Sequence, residues 1–182
     1  MIVLSANPAL PLEDDRRAWV EGLYRQYSAR VFRFMHYRLG DRAQAEDLTA
    51  LTFQRVIENA ARFDASRGSE AVWLFTIARH QLIDHMRRRK LSVPLDALEH
   101  LPSALEGPVA RAEQAEQLAA LGIALRQLKP RELAVISLKY AGELKSAEIA
   151  SVLGLSEKNV EVILSRTRQK LRLMLEEDNH EK

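Results

Sequence analysis

The stretch from Gly142 to Leu175, GELKSAEIASVLGLSEKNVEVILSRTRQKLRLML, constrains the fold more than any other part of the chain. Two helical periodicities lie on either side of a glycine. Ile149, Ala150, Val152 and Leu153 make one apolar face, with Ser146 placed to cap its start. Gly154 can take the positive φ that ends a helix sharply, and Ser156 offers a cap oxygen to the helix that follows. Along that second helix Val160, Leu164, Thr167, Leu171 and Met174 recur at steps of four and three as a buried stripe, while Lys158, Arg168 and Arg172 fall on other faces. A helix-turn-helix reads this way, and its second helix can lie in the major groove of DNA. A plain packing hairpin with a glycine turn reads similarly, so the rest of the chain has to separate the two.

Upstream, Trp19, Leu23, Tyr27, Val31, Phe34 and Leu39 keep helical spacing from Glu13 to Leu39, and Gly40 stops that helix. Asp41 is placed to cap a second helix running to about Arg62, with Ala45, Leu48, Leu51, Thr52, Val56 and Ile57 in periodic positions. A loop at Asp64 to Ser69 leads to a third helix, from about Glu70 to Lys90. On it Leu74, Ile77, Ala78, Gln81, Leu82 and His85 form the packing face, and Thr76, Arg79, His80, Ile83 and Arg87 form an exposed basic one. Pro94, Pro102 and Pro108 exclude a continuous helix through the next segment. Helices resume at about Val109 to Leu128 and Pro130 to Tyr140, the latter with proline suited to a first helical turn. No alternating strand pattern occurs. The expected fold is all-α: a three-helix domain at 13–90, an extended acidic linker at 91–108 and a helix-turn-helix domain at 109–177.

Charge is informative in its distribution, since the net value is only +2. Arg79 to Lys90 carries +4 and Ser156 to Leu175 carries +3, whereas Leu91 to Ala119 carries −4. Two basic helix ends flank an acidic connector whose scattered leucines suit a segment that docks on something. The absence of cysteine excludes disulfides and thiolate metal sites, and the histidines lack ligand spacing, so no metal or cofactor is expected. No apolar run is long enough to span a bilayer, and the N-terminus lacks the basic flank of a signal peptide, so membrane insertion is not expected and the cytoplasm is the expected location.

Two stretches resemble the sigma-70 family of bacterial RNA polymerase sigma factors, in its compact extracytoplasmic-function group. LYRQYSARVFRFMHYRLGDRAQAEDLTALTFQRVIENAARFDASRGSEAVWLFTIARHQLIDHMRRRK is similar to the family's second region. LRQLKPRELAVISLKYAGELKSAEIASVLGLSEKNVEVILSRTRQKLR is similar to its fourth. The resemblance implies a non-enzymatic subunit that brings core RNA polymerase to promoter DNA, with room for an anti-sigma factor as a further partner. Glu46, Asp47, Leu48 and Phe53 would meet the polymerase, although the acids also suit a helix N-terminus and Leu48 and Phe53 also suit a core. Arg79, His80, Arg87, Arg88 and Arg89, with Lys90, would meet the minus-ten element, and the 64–69 loop would form a base pocket. Lys158, Asn159, Glu161, Val162, Ser165, Arg166 and Arg168 would meet the minus-thirty-five element. Asp96, Glu99 and Glu106 would imitate nucleic acid in the polymerase's RNA channel.

The chain departs from the family pattern at Ala50 and Leu51 after AEDL, at Glu70, at His80 in place of the usual Asn, and at Glu161 and Ile163 in the recognition helix. A glutamate there repels phosphates, though it can accept from a cytosine amine. Two other readings remain open from residues alone. A free-standing helix-turn-helix regulator accounts for the hairpin but leaves AEDL and the basic third helix without a role. A helical adaptor with no DNA role predicts no steep salt dependence of DNA binding.

Overall fold

The structure, a computed structural model, describes residues 13–92 and 120–180. The expected roles of Asp96, Glu99 and Glu106, and the helix start at Val109, lie outside the described residues. All regular structure within them is helical.

Helix α1 spans Glu13–Leu39, and Gly40 ends it at φ 67, donating to the His36 carbonyl. The next residue starts α2, Arg42–Asn59: the Asp41 carboxylate accepts from the Gln44 N–H at 2.9 Å. So short a connection folds α2 back along α1. The end of α2 tightens into a single 3₁₀ turn, Ala60–Arg62. In the following loop Asp64 accepts from the N–H and hydroxyl of Ser66, which fixes the turn before α3, Glu70–Ser92. Burial of Leu23, Val31, Phe34 and Met35 from α1, Val56 from α2, and Leu74, Phe75 and Leu82 from α3 closes the three-helix core. Trp19, Phe63 and Trp73 stack beside it, and the Trp19 indole donates to Glu70 at 2.5 Å.

The second unit opens with helical backbone at 120–126, here α4. Helix α5, Pro130–Ile136, carries proline in its first turn, and Glu132 accepts from the Lys129 N–H at 2.9 Å. Its last turn widens into a π turn, Ser137–Ala141, closed by Gly142 N–H on the Ser137 carbonyl. Helix α6, Ser146–Leu153, differs from expectation at its start. Lys145 is the capping residue, with its N–H held by Glu148 at 3.0 Å, so Ser146 is already the first helical residue. Glu148, three residues past the cap, reaches back to the cap residue's own N–H, which is the glutamate's half of a capping box. Gly154 does end α6, at φ 65 and ψ 41, with Leu155 N–H returning to the Ala150 carbonyl. Ser156 then accepts from Asn159 N–H at the head of α7, Glu157–His180. Val160, Leu164 and Thr167 are buried along α7, and Leu171 and Met174 half-buried, as the stripe predicts.

The two units pack against each other. α1 and α3 lie directly against the π turn and α6, and buried apolar residues form one continuous cluster from Leu23 to Leu164.

Candidate functional site

Three outward surfaces carry the residues singled out from sequence. The first lies on α2. Glu46 and Asp47 are exposed, and Glu46 accepts from Arg42 at 2.9 Å. Leu48 and Phe53 are only 4% and 5% exposed, so they are core residues and present little to a partner. Phe53 instead meets the ring of Tyr24 edge-on, leaving Tyr24 on the surface. Ile57, expected to be packed, is 63% exposed. Asp47, Ala50, Gln54 and Ile57 therefore form one exposed stripe at steps of three and four.

The second surface is a recess of about 230 Å³ between α2 and α3, lined by Arg55, Asn59, Arg62, Trp73, Ile77, His80 and Gln81. Ile77 packs against the core as helical spacing expects, and with Gln81, also half-buried, it lines the recess as well. His80 is exposed, as expected. Arg79 is not: it is half-buried next to Arg38 of α1. Burial, and then the charge of Arg79, push the Arg38 guanidinium below its ordinary range, and Arg38 Nε is buried without a hydrogen-bond partner. His85 pairs with Gln44 at 3.0 Å. Farther along α3, Arg87 reaches Asp84 at 3.7 Å, Arg88 donates to the Asp84 carbonyl, and Arg89 lies near enough to Asp41 to lower its carboxyl slightly.

Arg55, Asn59 and Arg62 were absent from the sequence-derived site. They sit at the end of α2 and in the 3₁₀ turn, far in sequence from the helix whose charge drew notice. A signal existed: a cation-amide-cation run spaced at four and three, just before a turn. Arg55 is shared with Glu58 at 2.7 Å, and Arg62 donates to the Asn59 amide oxygen at 3.2 Å. Cations beside an indole face suit an unstacked nucleobase and its phosphates. The nearby loop carboxyl of Asp64 is held below the usual carboxylate range by the Ser66 hydroxyl and N–H, so it is a fixed negative charge.

The third surface is the outer face of α7. Lys158, Asn159, Glu161, Val162, Ser165, Arg166 and Arg168 are all exposed there, and Ile163 packs against the core. Arg168 donates back to the Leu164 carbonyl at 3.3 Å, whereas Lys158 and Arg166 extend from the helix. Glu161 stands between them. Charge on this face is therefore mixed, unlike that of the recess.

A helix-turn-helix with an open recognition face, joined to a second cationic surface of different shape, defines a helical nucleic-acid-binding protein. Residues 23–91 match the family description Sigma-70 region 2, and residues 118–171 match Sigma-70, region 4. The chain is 30% identical to the ECF RNA polymerase sigma factor RpoE of Cereibacter sphaeroides, over 85% of this chain and 87% of that one. It is 29% identical to the ECF sigma factor SigM of Bacillus subtilis, over 85% of this chain and 94% of that one. With BldN of Streptomyces coelicolor it shares 32% identity over 86% of this chain, and it spans 60% of BldN's length. The chain belongs to the sigma-70 family, in its extracytoplasmic-function (ECF) group. In fold it is similar to the sigma factor RpoE of Bartonella quintana solved with the anti-sigma factor NepR, with a TM-score of 0.68, 21% identity and coverage of 88% and 98% of the two chains. It is likewise similar to CnrH solved with the cytosolic domain of CnrY, at a TM-score of 0.66, 22% identity and coverage of 89% and 90%. Among the described residues no helix is long and apolar enough to cross a membrane.

Proposed function

We propose that this chain is a promoter-specificity subunit, which binds core RNA polymerase and directs it to start transcription at selected sites. The observation that carries the reading is the presence, on one chain, of a base-sized recess walled by Trp73, Arg55 and Arg62 and a separate exposed recognition helix. The first suits an opened strand, the second a duplex groove. In this reading the first unit holds the minus-ten element and α7 holds the minus-thirty-five element. The α2 stripe of Asp47, Ala50, Gln54 and Ile57, with Glu46 and Tyr24, faces the polymerase. Arg38 and Arg79, placed together with Arg38 Nε unpartnered, suit a phosphodiester, because one anion satisfies both guanidiniums.

Domain limits follow at 13–90 and 109–177, with 91–108 between them. Catalysis belongs to the polymerase, and the cytoplasm, where polymerase and promoter meet, is the place of action. An anti-sigma factor is a further proposed partner, carried over from the complex of RpoE with NepR.

Run-off transcription over a library of promoters tests the reading. Adding the full chain to active core polymerase is expected to create new start sites. An unchanged set of starts overturns it.

A further inference from the structure

Two neighbouring side chains on α7 serve neither the helix nor a phosphate. Glu161 is exposed, and among the described residues it has no ion-pair or hydrogen-bond partner. The first-turn acid of α7 is Glu157, so Glu161 stands beyond the reach of the helix's positive end. Val162 is 39% exposed, while Val160, Ile163 and Leu164 around it pack inward. A β-branched side chain on an open helix surface is a poorer helix former than alanine, lysine or glutamine.

The helical period fixes where the two point. Successive residues turn by about 100°, and the fully buried Val160 marks the direction of the core. Lys158, Val162 and Ser165 then face most nearly away from the core. Glu161 lies on one flank of that ridge, and Asn159 and Arg166 lie on the other. Arg168 shares the flank of Glu161 but stands two turns farther on, with its Nε turned back to the Leu164 carbonyl.

A helix roughly 10–12 Å across fills a major groove about 12 Å wide. Its outward ridge meets base edges, and its flanks meet the walls where the phosphates lie. The Asn159–Arg166 flank suits a phosphate wall, whereas a carboxylate is repelled by one. The helix therefore settles with Asn159 and Arg166 against the phosphates, which rolls Glu161 toward the base edges.

Two groups on the groove floor answer these side chains. The cytosine amine is a donor that a carboxylate accepts, and the thymine methyl is an apolar group that valine can cover. Consecutive Cα atoms lie ~3.8 Å apart, close to the ~3.4 Å step between base pairs. We infer that Glu161 and Val162 set the base preference of the upstream element, Glu161 accepting from a cytosine amine and Val162 packing on the methyl of a thymine one base pair away. The inference rests on the promoter function and adds to it the bases that are read.

Holoenzyme made from the full chain and core polymerase, selecting from promoters randomised over the upstream element, tests both residues. The enriched element is expected to hold a C·G pair beside a T·A pair. Glu161→Gln is expected to shift the first pair toward A·T, since a glutamine amide pairs with adenine, with cytosine preference falling roughly tenfold or more. A glutamate that only repels phosphates behaves differently: Glu161→Gln then binds every sequence more tightly with the same preference, and that result overturns the assignment. For Val162, deoxyuridine replaces each thymine in turn and removes only its methyl. The wild-type holoenzyme is expected to lose about fourfold in affinity at one position, and Val162→Ala to lose nothing there. Equal losses by the two proteins, or no loss at any thymine, overturn the role of Val162. The wild-type half of that series needs no variant to fold. An enriched element without the C·G pair overturns the inference and leaves the promoter function standing. No enrichment of any element means that the promoter function has failed, and the inference falls with it.

Discussion

The face of α7 and the recess between α2 and α3 are both proposed to meet DNA, yet they are made in opposite ways. The α7 face is the work of one helix. Once Val160, Leu164 and Thr167 are buried, the remaining angles are settled, and Lys158, Glu161, Ser165 and Arg166 must face outward. The recess exists only when two helices and a 3₁₀ turn pack together, with Trp73 held between Trp19 and Phe63. A single-helix surface tolerates loss of one side chain locally. An assembled one fails as a unit when a wall is removed. The difference also fits the task, since duplex DNA brings its own regular shape, whereas an extruded base must be given a pocket.

The largest effect should therefore come from the wall. Trp73→Ala removes a half-buried indole and its two ring contacts, which should cost about 2–3 kcal/mol. The melting temperature should fall by roughly 5–10 °C, and promoter opening should be lost beyond that decline. A variant that melts and opens promoters like the parent would remove the basis for treating the recess as one assembled site. Next in size, Arg62→Ala with His80→Ala leaves the core intact but strips two rim groups. Opening should drop about 10- to 100-fold, at ~1–3 kcal/mol for contacts to an unstacked base. Binding to a duplex carrying only the upstream element should stay unchanged, and equal losses on both substrates would dissolve the distinction between the two surfaces.

On α7 the changes should be smaller and mostly electrostatic. Arg166→Ala should weaken duplex binding severalfold across sequences and reduce the slope of log affinity against log salt by about 1. Glu161 tempers this face, so its single-cation effects should stay below those in the recess. An Arg166→Ala loss larger than that of the Arg62–His80 pair would reverse the ranking.

The same contrast governs what could be read from sequence. Helix limits at Glu13–Leu39, the Gly154 turn and the outward set on α7 follow from local rules: period, cap and glycine. Errors arise where a neighbour decides. Ser146 lost its capping place to Lys145, one residue earlier, whose N–H is held by Glu148. Ile57 has apolar character but no helix opposite it, and Phe53 was placed at a partner surface although Tyr24 covers it. Arg79 read as exposed because a helical wheel omits Arg38 on another helix. The Arg30–Gly142 contact joins residues more than a hundred positions apart, which no period in the sequence records.

The smallest expected effect concerns acid, and it compares the two units directly. Each begins a helix with a carboxylate that accepts a backbone N–H: Asp41 from Gln44 in the first, Glu132 from Lys129 in the second. Those hydrogen bonds hold both carboxyls below the usual carboxylate range, in the folded state only. Protonation therefore favours the unfolded chain. The stabilisation is complete above the ordinary carboxylate value and is lost as pH falls through the depressed folded value. Both groups are at the surface, so the change should be a shallow slope in denaturant midpoint, not a collapse. Asp41→Asn keeps an acceptor but cannot titrate, so it should flatten part of that slope while holding neutral-pH stability near the parent's. Asp41→Ala should flatten it equally and start lower. The part that remains in both variants should shrink further when Glu132→Gln is added, leaving the share of Asp64, whose carboxyl Ser66 also holds low. A slope unchanged by all three substitutions would assign the acid response elsewhere and break the symmetry argued for the two helix starts.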